Sequence, residues 1–286
     1  MRQITSRMGW ALSGALALGL LLALARIGQA GPLDPPGAPG PTMKTLDQLE
    51  PRTAITSLPY TISQPGSYYV TGNLTGTTGI EITANDVTLD LNGFTLTGGT
   101  GDGIKTTGAV SNIAIFNGNV RGWGASGVNA QSATSGRYER LQASGNAMYG
   151  ISVGGGLISN CTASANAYHG IVVAPPAAGG AIVRGCVAAA NGQIGILVGS
   201  DSIVDGNEAT QNGFEGIRVN GSRNRVEGNN VTWNSVGLWV AGTHNFSARN
   251  TATYNSAMDI YGGPTNTTPG DPTPTNPTLP WANLNY

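Results

Sequence analysis

Charged residues are scarce in this chain: Asp, Glu, Lys and Arg make up 10% of its 286 residues, and the formal net charge is -1. A nucleic-acid-binding surface needs concentrated Lys and Arg, and a charge-driven disordered tail needs an excess of one sign, so the composition excludes both. Histidine is scarce too, with two residues. His169 and His244 stand apart without the spacing of metal ligands, so we predict no metal site and no cofactor.

Cysteine is also rare, and its placement excludes a lipid-anchored N-terminus. The two cysteines, Cys161 and Cys186, lie far from the N-terminus. The repeat described below puts both in one inward column of neighbouring coils, where a disulfide is feasible in an oxidising compartment. Parallel neighbours in register fit the disulfide torsion poorly, so we expect two small buried thiols that act as hydrophobic residues.

Glycine is abundant, with 44 residues, and Gly, Asn, Thr, Ser and Val dominate residues 60–262. These residue types disfavour helix interiors and suit strands and tight turns. We therefore predict an all-β structure without long helices.

The first thirty residues have the features of an export signal. Arg2 and Arg7 precede an apolar run over residues 10–25, and the small residues of Gly28-Gln29-Ala30 fit a signal-peptidase site. The run is shorter than the roughly twenty residues that a membrane span needs, which disfavours an uncleaved anchor. We predict a signal peptide over residues 1–30 and an extracellular, periplasmic or envelope location. The membrane would be a partner only through this segment, if it stays uncleaved.

A glycine followed by Ile, Leu or Val recurs at steps of 20 to 25 residues. The eight copies begin at Gly79, Gly103, Gly127, Gly150, Gly170, Gly195, Gly216 and Gly237. A period of this length indicates a solenoid, because each unit is too short to bury its apolar side chains alone. Taking glycine as the turn residue, strand alternation points the next residue inward, the third outward and the fourth inward.

This alternation predicts two inward columns that are almost wholly apolar. The first is Ile80, Ile104, Val128, Ile151, Ile171, Ile196, Ile217, Leu238 and Met258; the second is Ile82, Thr106, Ala130, Val153, Val173, Val198, Val219, Val240 and Ile260. A second, independent register aligns six asparagines: Asn146, Asn166, Asn191, Asn212, Asn234 and Asn255. Because Asn tolerates left-handed backbone and can bond the coil above, this column predicts an asparagine ladder at a bend.

These columns define the predicted fold, a right-handed parallel β-helix of about nine coils spaced about 4.8 Å apart. Residues 31–54 form a Pro- and Gly-rich tether with a short helical turn, residues 55–262 the β-helix, and residues 263–286 an irregular C-terminal tail or cap. Strand-like runs at residues 60–63 and 68–71 are predicted to close the N-terminal end as a cap.

Two segments carry a resemblance to a known group of proteins. The runs VTLDLNGFTL at residues 87–96 and NIAIFNGNVRG at residues 112–122, with the Gly-Ile repeats that follow, resemble exported bacterial β-helix proteins with the pectin-lyase-like fold. That group includes NosD-type periplasmic proteins, carbohydrate lyases and hydrolases. The group also includes many members without known activity. The resemblance covers roughly residues 55–262 and implies a right-handed parallel β-helix, with a lyase or hydrolase activity as one of the functions that the group contains.

The catalytic residues of that group do not transfer to this sequence. The group's lyases use clustered Asp residues that bind calcium and an Arg base, and its hydrolases use close Asp pairs. The outward column here is predicted to be Glu81, Lys105, Asn129, Ser152, Val172, Leu197, Arg218, Trp239 and Asp259. It contains no acid cluster, and Arg218 could act as a base only if its very high pKa were lowered.

One outward patch has the chemistry of a sugar-binding site. Arg218, Asn220, Trp239, Asp259 and Tyr261 are predicted to lie on adjacent coils, where aromatic rings could pack on sugars and polar groups could bind hydroxyls. The alternative, which we favour on general grounds, is that Trp239 and Tyr261 pack beneath the C-terminal tail.

A second column supplies weak catalytic candidates. Asp205 and Glu227 should lie about 5 Å apart on neighbouring coils, as acid and base carboxylates can in retaining glycosidases. Arg184 is predicted beside Asp205, however, and a surface ion pair is the preferred interpretation.

Three functions remain open. We rank first an exported, non-catalytic β-helix that presents a rigid surface to polysaccharide or a cell-surface glycan. A polysaccharide lyase or glycoside hydrolase is second, so enzyme activity stays undecided. An ice- or crystal-binding face is third, suggested by Thr-rich segments at residues 162–164, 230–232 and 251–253.

Overall fold

The computed structural model describes residues 52–174 and 180–262 and the backbone of a strand at residues 284–285. These residues form strands, turns and bends, without an α-helix. The signal peptide at residues 1–30, most of the tether at 31–54 and most of the tail at 263–286 lie outside the described residues. In the described part, no helix is long and apolar enough to cross a membrane.

Short parallel strands, joined by turns and bends, run through the described part of the chain. In order they are β1 (Thr53–Ile55), β2 (Tyr60–Ile62), β3 (Gly66–Val70), β4 (Leu74–Gly76), β5 (Ile80–Ile82), β6 (Val87–Asp90), β7 (Thr95–Gly98), β8 (Ile104–Thr106), β9 (Val110–Ser111), β10 (Ile113–Arg121), β11 (Val128–Ala130), β12 (Ala133–Thr134), β13 (Gly136–Ser144), β14 (Ile151–Val153), β15 (Gly156–Ser159), β16 (Thr162–Ser164), β17 (Ile171–Val173), β18 (Ala181–Arg184), β19 (Val187–Ala189), β20 (Ile196–Val198), β21 (Ile203–Asp205), β22 (Glu208–Thr210), β23 (Glu215–Val219), β24 (Arg225–Glu227), β25 (Asn230–Thr232), β26 (Val236–Val240), β27 (Phe246–Ala248), β28 (Thr251–Thr253), β29 (Met258–Gly262) and β30 (Leu284–Asn285).

The strands stack into two large parallel sheets and one small one. A ten-stranded sheet has the order β2-β5-β8-β11-β14-β17-β20-β23-β26-β29. An eighteen-stranded sheet contains the other long stacks, and β9 pairs with β12. The β-helix prediction is therefore confirmed. Two details differ: β2, predicted as part of a cap, is the first strand of the ten-stranded sheet, and the stack begins at β1, inside the predicted tether.

Both predicted apolar columns are buried as far as β26, apart from half-buried Thr106. They stay in register up to that strand, where Ile217 pairs with Leu238 and Val219 with Val240. The ninth members were predicted wrongly. Ile260, not Met258, pairs with Leu238, and Gly262 pairs with Val240. The step from Leu238 to Ile260 is 22 residues, against 21 from Ile217 to Leu238, so the prediction placed the last column members two residues too early. Met258 is 44% exposed.

The repeated glycines are required by close approach between coils, not by turn geometry. They do not occupy the left-handed region. A Cβ on Gly195 would lie 2.5 Å from the Gly216 carbonyl oxygen and 2.7 Å from Nδ2 of Asn212. The same clash with a ladder asparagine, at 2.6 to 2.7 Å, recurs at Gly127, Gly150, Gly170, Gly216 and Gly237. The glycine repeat and the asparagine column are thus two sides of one packing contact.

The six-member asparagine ladder is confirmed. Nδ2 of each asparagine donates to Oδ1 of the next, with distances of 2.9 to 3.1 Å from Asn146 through to Asn255. Five of the six side chains are buried, and Asn255 at the end is partly buried. Two further ladders escaped the sequence analysis: Asn207, Asn229 and Asn250 form one, and Asn224 and Asn245 form the other.

Cys161 and Cys186 are both buried and free, as expected. Their thiols donate to backbone carbonyls, Cys161 to Ser159 at 3.3 Å and Cys186 to Arg184 at 3.4 Å. The hydrogen bond with Cys186, together with burial, raises the pKa of Cys161. The pair therefore packs as small core residues.

Candidate functional site

The outer face of the ten-stranded sheet carries a three-membered stack near its C-terminal end. Strand pairing sets Arg218 of β23 beside Trp239 of β26, and Trp239 beside Tyr261 of β29. The Trp239 and Tyr261 rings are stacked with centroids 4.1 Å apart and planes at 24°. The Arg218 guanidinium lies 5.8 Å from the Trp239 ring centroid on the neighbouring rung. The stack is half-buried, and it presents a cation and aromatic edges along the sheet.

Two neighbours orient the guanidinium of Arg218. Its Nε donates to Oδ1 of exposed Asn220 at 2.7 Å, and one terminal nitrogen donates to Oε1 of buried Glu215 at 3.1 Å. Because Glu215 is buried, this charge-assisted bond fixes the guanidinium against the sheet. The result is a positioned cation at the surface rather than a freely moving side chain.

Asp259 does not occupy the outward position predicted for it. The register places Tyr261 in the column of Arg218 and Trp239, and Asp259 opposite Gly237. Asp259 Oδ1 accepts hydrogen bonds from the backbone N–H of Asn255 at 3.1 Å and from its Nδ2 at 2.8 Å. It therefore ends the asparagine ladder, where one more asparagine would otherwise be needed.

A depression of about 220 Å³ opens beside Arg218. It is lined by Gln193, Ile194, Phe214, Glu215 and Arg218. Phe214 forms its apolar rim and is 55% exposed. We call this depression, together with Trp239 and Tyr261, the Arg218 cleft. Sequence reasoning missed Phe214, although bulky residues stand two places before the repeat glycine in several coils.

The residues two places before the repeat glycines form a ridge at the same corner, interrupted by Gln193. Backbone bonds between coils connect the positions of Met148, Tyr168, Gln193 and Phe214 in consecutive rungs. The side chains of Met148, Tyr168 and Phe214 are exposed. The ridge therefore runs along the solenoid axis beside the outer face of the ten-stranded sheet.

His169 lies on the same corner, two rungs before Glu215. Its ring stacks on Tyr149 with centroids 5.5 Å apart at 11°, and its Nδ1 accepts the Ile194 N–H at 3.1 Å. Burial lowers the pKa of His169, Glu215 opposes that shift, and Arg218 adds to it. The imidazole is therefore held neutral with its proton on Nε2, as a hydrogen-bond donor.

A depression of about 200 Å³ also lies near the N-terminal end, lined in part by Tyr60, Glu81, Asp102 and Lys105. Its charged groups bond one another: Lys105 Nζ lies 3.0 Å from Glu81, whose carboxylate also accepts from Thr107 at 2.6 Å. The hydrogen bonds from Thr107 and Lys105 lower the pKa of Glu81. The Arg218 cleft differs in having exposed Phe214 and the stacked Trp239 and Tyr261 beside its cation, so we take it as the candidate site.

The two weak catalytic candidates, Asp205 and Glu227, are neighbours in the sheet, as predicted. Each is held by arginine. Arg184 Nε donates to Asp205 at 2.9 Å, and buried Glu227 is bonded by Arg225 and Arg249. These contacts match the ion-pair interpretation. Among the described residues, no group of three or more His, Cys, Asp or Glu is placed to hold a metal ion.

The fold defines a class, the right-handed parallel β-helix proteins. The chain belongs to the family described as "Right handed beta helix region", whose model matches residues 69–204 and 176–268. No curated protein is similar enough in sequence to count as a match.

Two solved structures share this fold. The A-module of Azotobacter vinelandii mannuronan C-5 epimerase AlgE6 aligns with a TM-score of 0.55 at 16% identity, over 72% of this chain and 68% of the module. The A-module of the AlgE4 epimerase aligns with a TM-score of 0.50 at 16% identity, over 71% of this chain and 64% of the module. At this identity the likeness establishes the fold.

Proposed function

We propose that this protein is an exported β-helix that binds polysaccharide along the outer face of its ten-stranded sheet, at the Arg218 cleft. The observation that carries the proposal is the stack of Arg218, Trp239 and Tyr261 beside an open depression rimmed by exposed Phe214. Pyranose rings expose apolar C–H faces and hydroxyls together, and such sites combine aromatic side chains with a few placed polar groups.

Each part of the cleft has a distinct role in this proposal. The exposed Phe214 ring offers a surface for a sugar face, while the faces of Trp239 are already occupied by Tyr261 and Arg218. Trp239 therefore contributes its outward edge and supports Arg218. The guanidinium and the Gln193 amide donate to hydroxyl or carboxylate oxygens. Asp259 contributes only indirectly, by closing the ladder at Asn255.

The rigid scaffold favours binding of an extended chain. Rungs about 4.8 Å apart present side chains at a spacing close to the length of one sugar unit. Because ladders and strands fix the backbone, little conformational entropy is lost on binding. The epimerases of similar fold act on mannuronan, and the Arg218 cation suits an acidic polymer of that kind. Mannuronan is therefore the first probe.

We propose no catalytic step at this cleft. The two carboxylates considered as an acid and base pair, Asp205 and Glu227, are engaged by arginines. Export remains part of the proposal and rests on the signal-like segment at residues 1–30. N-terminal sequencing of the mature protein checks it: a start at Gly31 supports export, and an intact N-terminus contradicts cleavage.

The binding test uses affinity electrophoresis in gels that contain mannuronan, pectin or neutral glucan. We expect mannuronan or pectin to retard the wild-type protein, and Arg218→Ala and Phe214→Ala each to weaken binding about tenfold. Thr71→Ala, far along the stack, is the control and should bind like wild type. Retardation of both Arg218→Ala and Phe214→Ala equal to that of wild type, or no retardation of the wild-type protein, would refute the cleft. Release of unsaturated or shortened products would instead establish a lyase or glycosidase.

A further inference from the structure

A second aromatic pair lies on another face of the same coils. Trp233 and Tyr254 are stacked with ring centroids 4.8 Å apart and planes at 8°. They are 61% and 69% exposed, the most exposed large apolar side chains among the described residues. Trp233 lies between β25 and the ladder residue Asn234, whereas Trp239 lies beyond it in β26. The asparagine corner therefore separates the two aromatic pairs.

The backbone at both rings is in the left-handed region, with φ of 58° at Trp233 and 59° at Tyr254. The equivalent positions before the ladder asparagines also have positive φ: Gly145, Ala165, Ala190 and Gln211. Gly and Ala make this bend in the earlier coils, so the bend needs no large ring. A bulky residue in left-handed backbone is unusual, and such outliers concentrate at functional sites. The fold therefore does not require the two rings.

Beside the pair, the outer side of β25 and β28 carries neutral polar side chains, and exposed Glu208 of β22 borders it next to Asn230. In β25 and β28, Asn230, Thr232, Thr251 and Thr253 flank the inward Val231 and Ala252. Thr232 Oγ1 donates to Thr210 Oγ1 on the preceding rung at 3.1 Å. Hydroxyl and amide groups thus form a regular array that ends at the two rings.

The C-terminal strand extends this face. β30 pairs with β28 in parallel register, Thr251 with Leu284 and Ala252 with Asn285. A strand added in register becomes the next rung, since its backbone bonds the edge of the stack and not its outer surface. The pairing of β30 therefore leaves the outer side of β25 and β28 uncovered by that strand.

We propose that this surface, which we call the Trp233 platform, is a second carbohydrate-binding site that takes neutral polysaccharide. It comprises Trp233, Tyr254, Asn230, Thr232, Thr251 and Thr253. The aromatic pair packs against the C–H edges of sugar rings, and the array bonds their hydroxyls. No cation is among these six side chains, whereas Arg218 centres the other cleft. The two sites therefore differ in the charge of the polymer they select.

The test uses Trp233→Asn and Tyr254→Asn, because Asn accepts left-handed backbone and these changes remove the ring without disturbing the bend. Soluble hydroxyethylcellulose, glucomannan and xylan are the neutral probes, and mannuronan is the acidic probe. In affinity gels, at least one neutral polymer should retard the wild-type protein. Each Asn variant should weaken that binding about tenfold. Thr71→Ala, the remote control, should leave it unchanged.

The results separate this proposal from the proposed function. Loss of mannuronan binding in Arg218→Ala alone concerns the Arg218 cleft, and loss of neutral-polymer binding in the Asn variants alone concerns the platform. The platform is overturned if no neutral polymer retards the wild-type protein, or if both Asn variants bind as wild type does. It is also overturned if the Asn variants dissociate a dimer in sedimentation, or melt several degrees lower, because the rings would then be an interface or a structural element.

Discussion

At the scale of single residues, glycine positions are decided by distances between coils. A Cβ on Gly195 would clash with a carbonyl oxygen and a ladder amide, whereas a Cβ on Gly199 would meet nothing within 4 Å. Gly195 precedes strand β20 and Gly199 follows it. The same substitution at these two positions therefore separates packing from any general effect of losing glycine.

Gly195→Ala should lower the free energy of unfolding by about 2 kcal/mol, because neither the Gly216 carbonyl nor the Asn212 amide can retreat without breaking its own bonds. Gly199→Ala should be neutral or slightly stabilising, since Ala reduces the entropy of the unfolded chain. Urea unfolding measures both. Equal effects at the two sites would contradict the role assigned to the glycine repeat.

His169 gives the residue-scale pH prediction. Burial lowers its pKa below the ordinary value of about 6.5, so in that window the unfolded state binds more protons than the folded state. The contribution of neutral His169 to the free energy of unfolding is present above about pH 6.5 and is lost as the pH falls through its lowered pKa. We expect the melting temperature to drop between pH 7 and 5. His169→Asn, which keeps an acceptor for the Ile194 N–H, should remove part of that drop. An identical pH profile for the variant and the wild type would refute the assignment of this pH dependence to His169.

At the scale of elements, the asparagine ladder joins the coils through the core side of the bend. Asn212 Oδ1 accepts from the N–H and Nδ2 of Asn191, and its own Nδ2 donates to Ala188 and to Asn234. Removing one member leaves buried donors and acceptors without partners on two rungs. The cost of such a loss exceeds the value of the bonds themselves.

Asn212→Ala should therefore destabilise the protein by about 3 kcal/mol. Gln211→Ala, at the exposed neighbouring position with positive φ, should change stability by less than about 0.5 kcal/mol. Chemical denaturation of the two variants measures the difference. A ladder variant as stable as Gln211→Ala would show that the stacked amides contribute little.

The coils were predictable from the sequence because stacking repeats the same residue in the same place. The columns of Ile and Val and the six asparagines follow from this repetition alone. The register of the last coil was predicted wrongly because no repeat glycine marks it and the steps between coils vary, and the structure puts Tyr261, rather than Asp259, beside Trp239. Phe214 and Trp233 were missed because the columns predict which side chains point inward, whereas the positions beside the predicted bend carry different residue types from coil to coil.

At the scale of the whole molecule, each coil contacts only its neighbours, and binding surfaces are therefore columns along the stack. Two columns end in aromatic pairs on the C-terminal coils, on either side of the asparagine corner. Charged residues elsewhere on the described coils form ion pairs, as Arg184 does with Asp205. The two proposed binding surfaces thus both lie on the C-terminal coils, and the other coils form the frame that holds them.

Hydroxyl-radical footprinting in the presence of saturating mannuronan tests the proposed function most directly, since it locates a bound polymer without altering the protein. We predict protection of Phe214, Trp239 and Tyr261, with Tyr60 in the N-terminal depression remaining as reactive as in the free protein. Protection centred on Tyr60, or a footprint that leaves Phe214 and Trp239 unchanged, would contradict the assignment of polysaccharide binding to the Arg218 cleft.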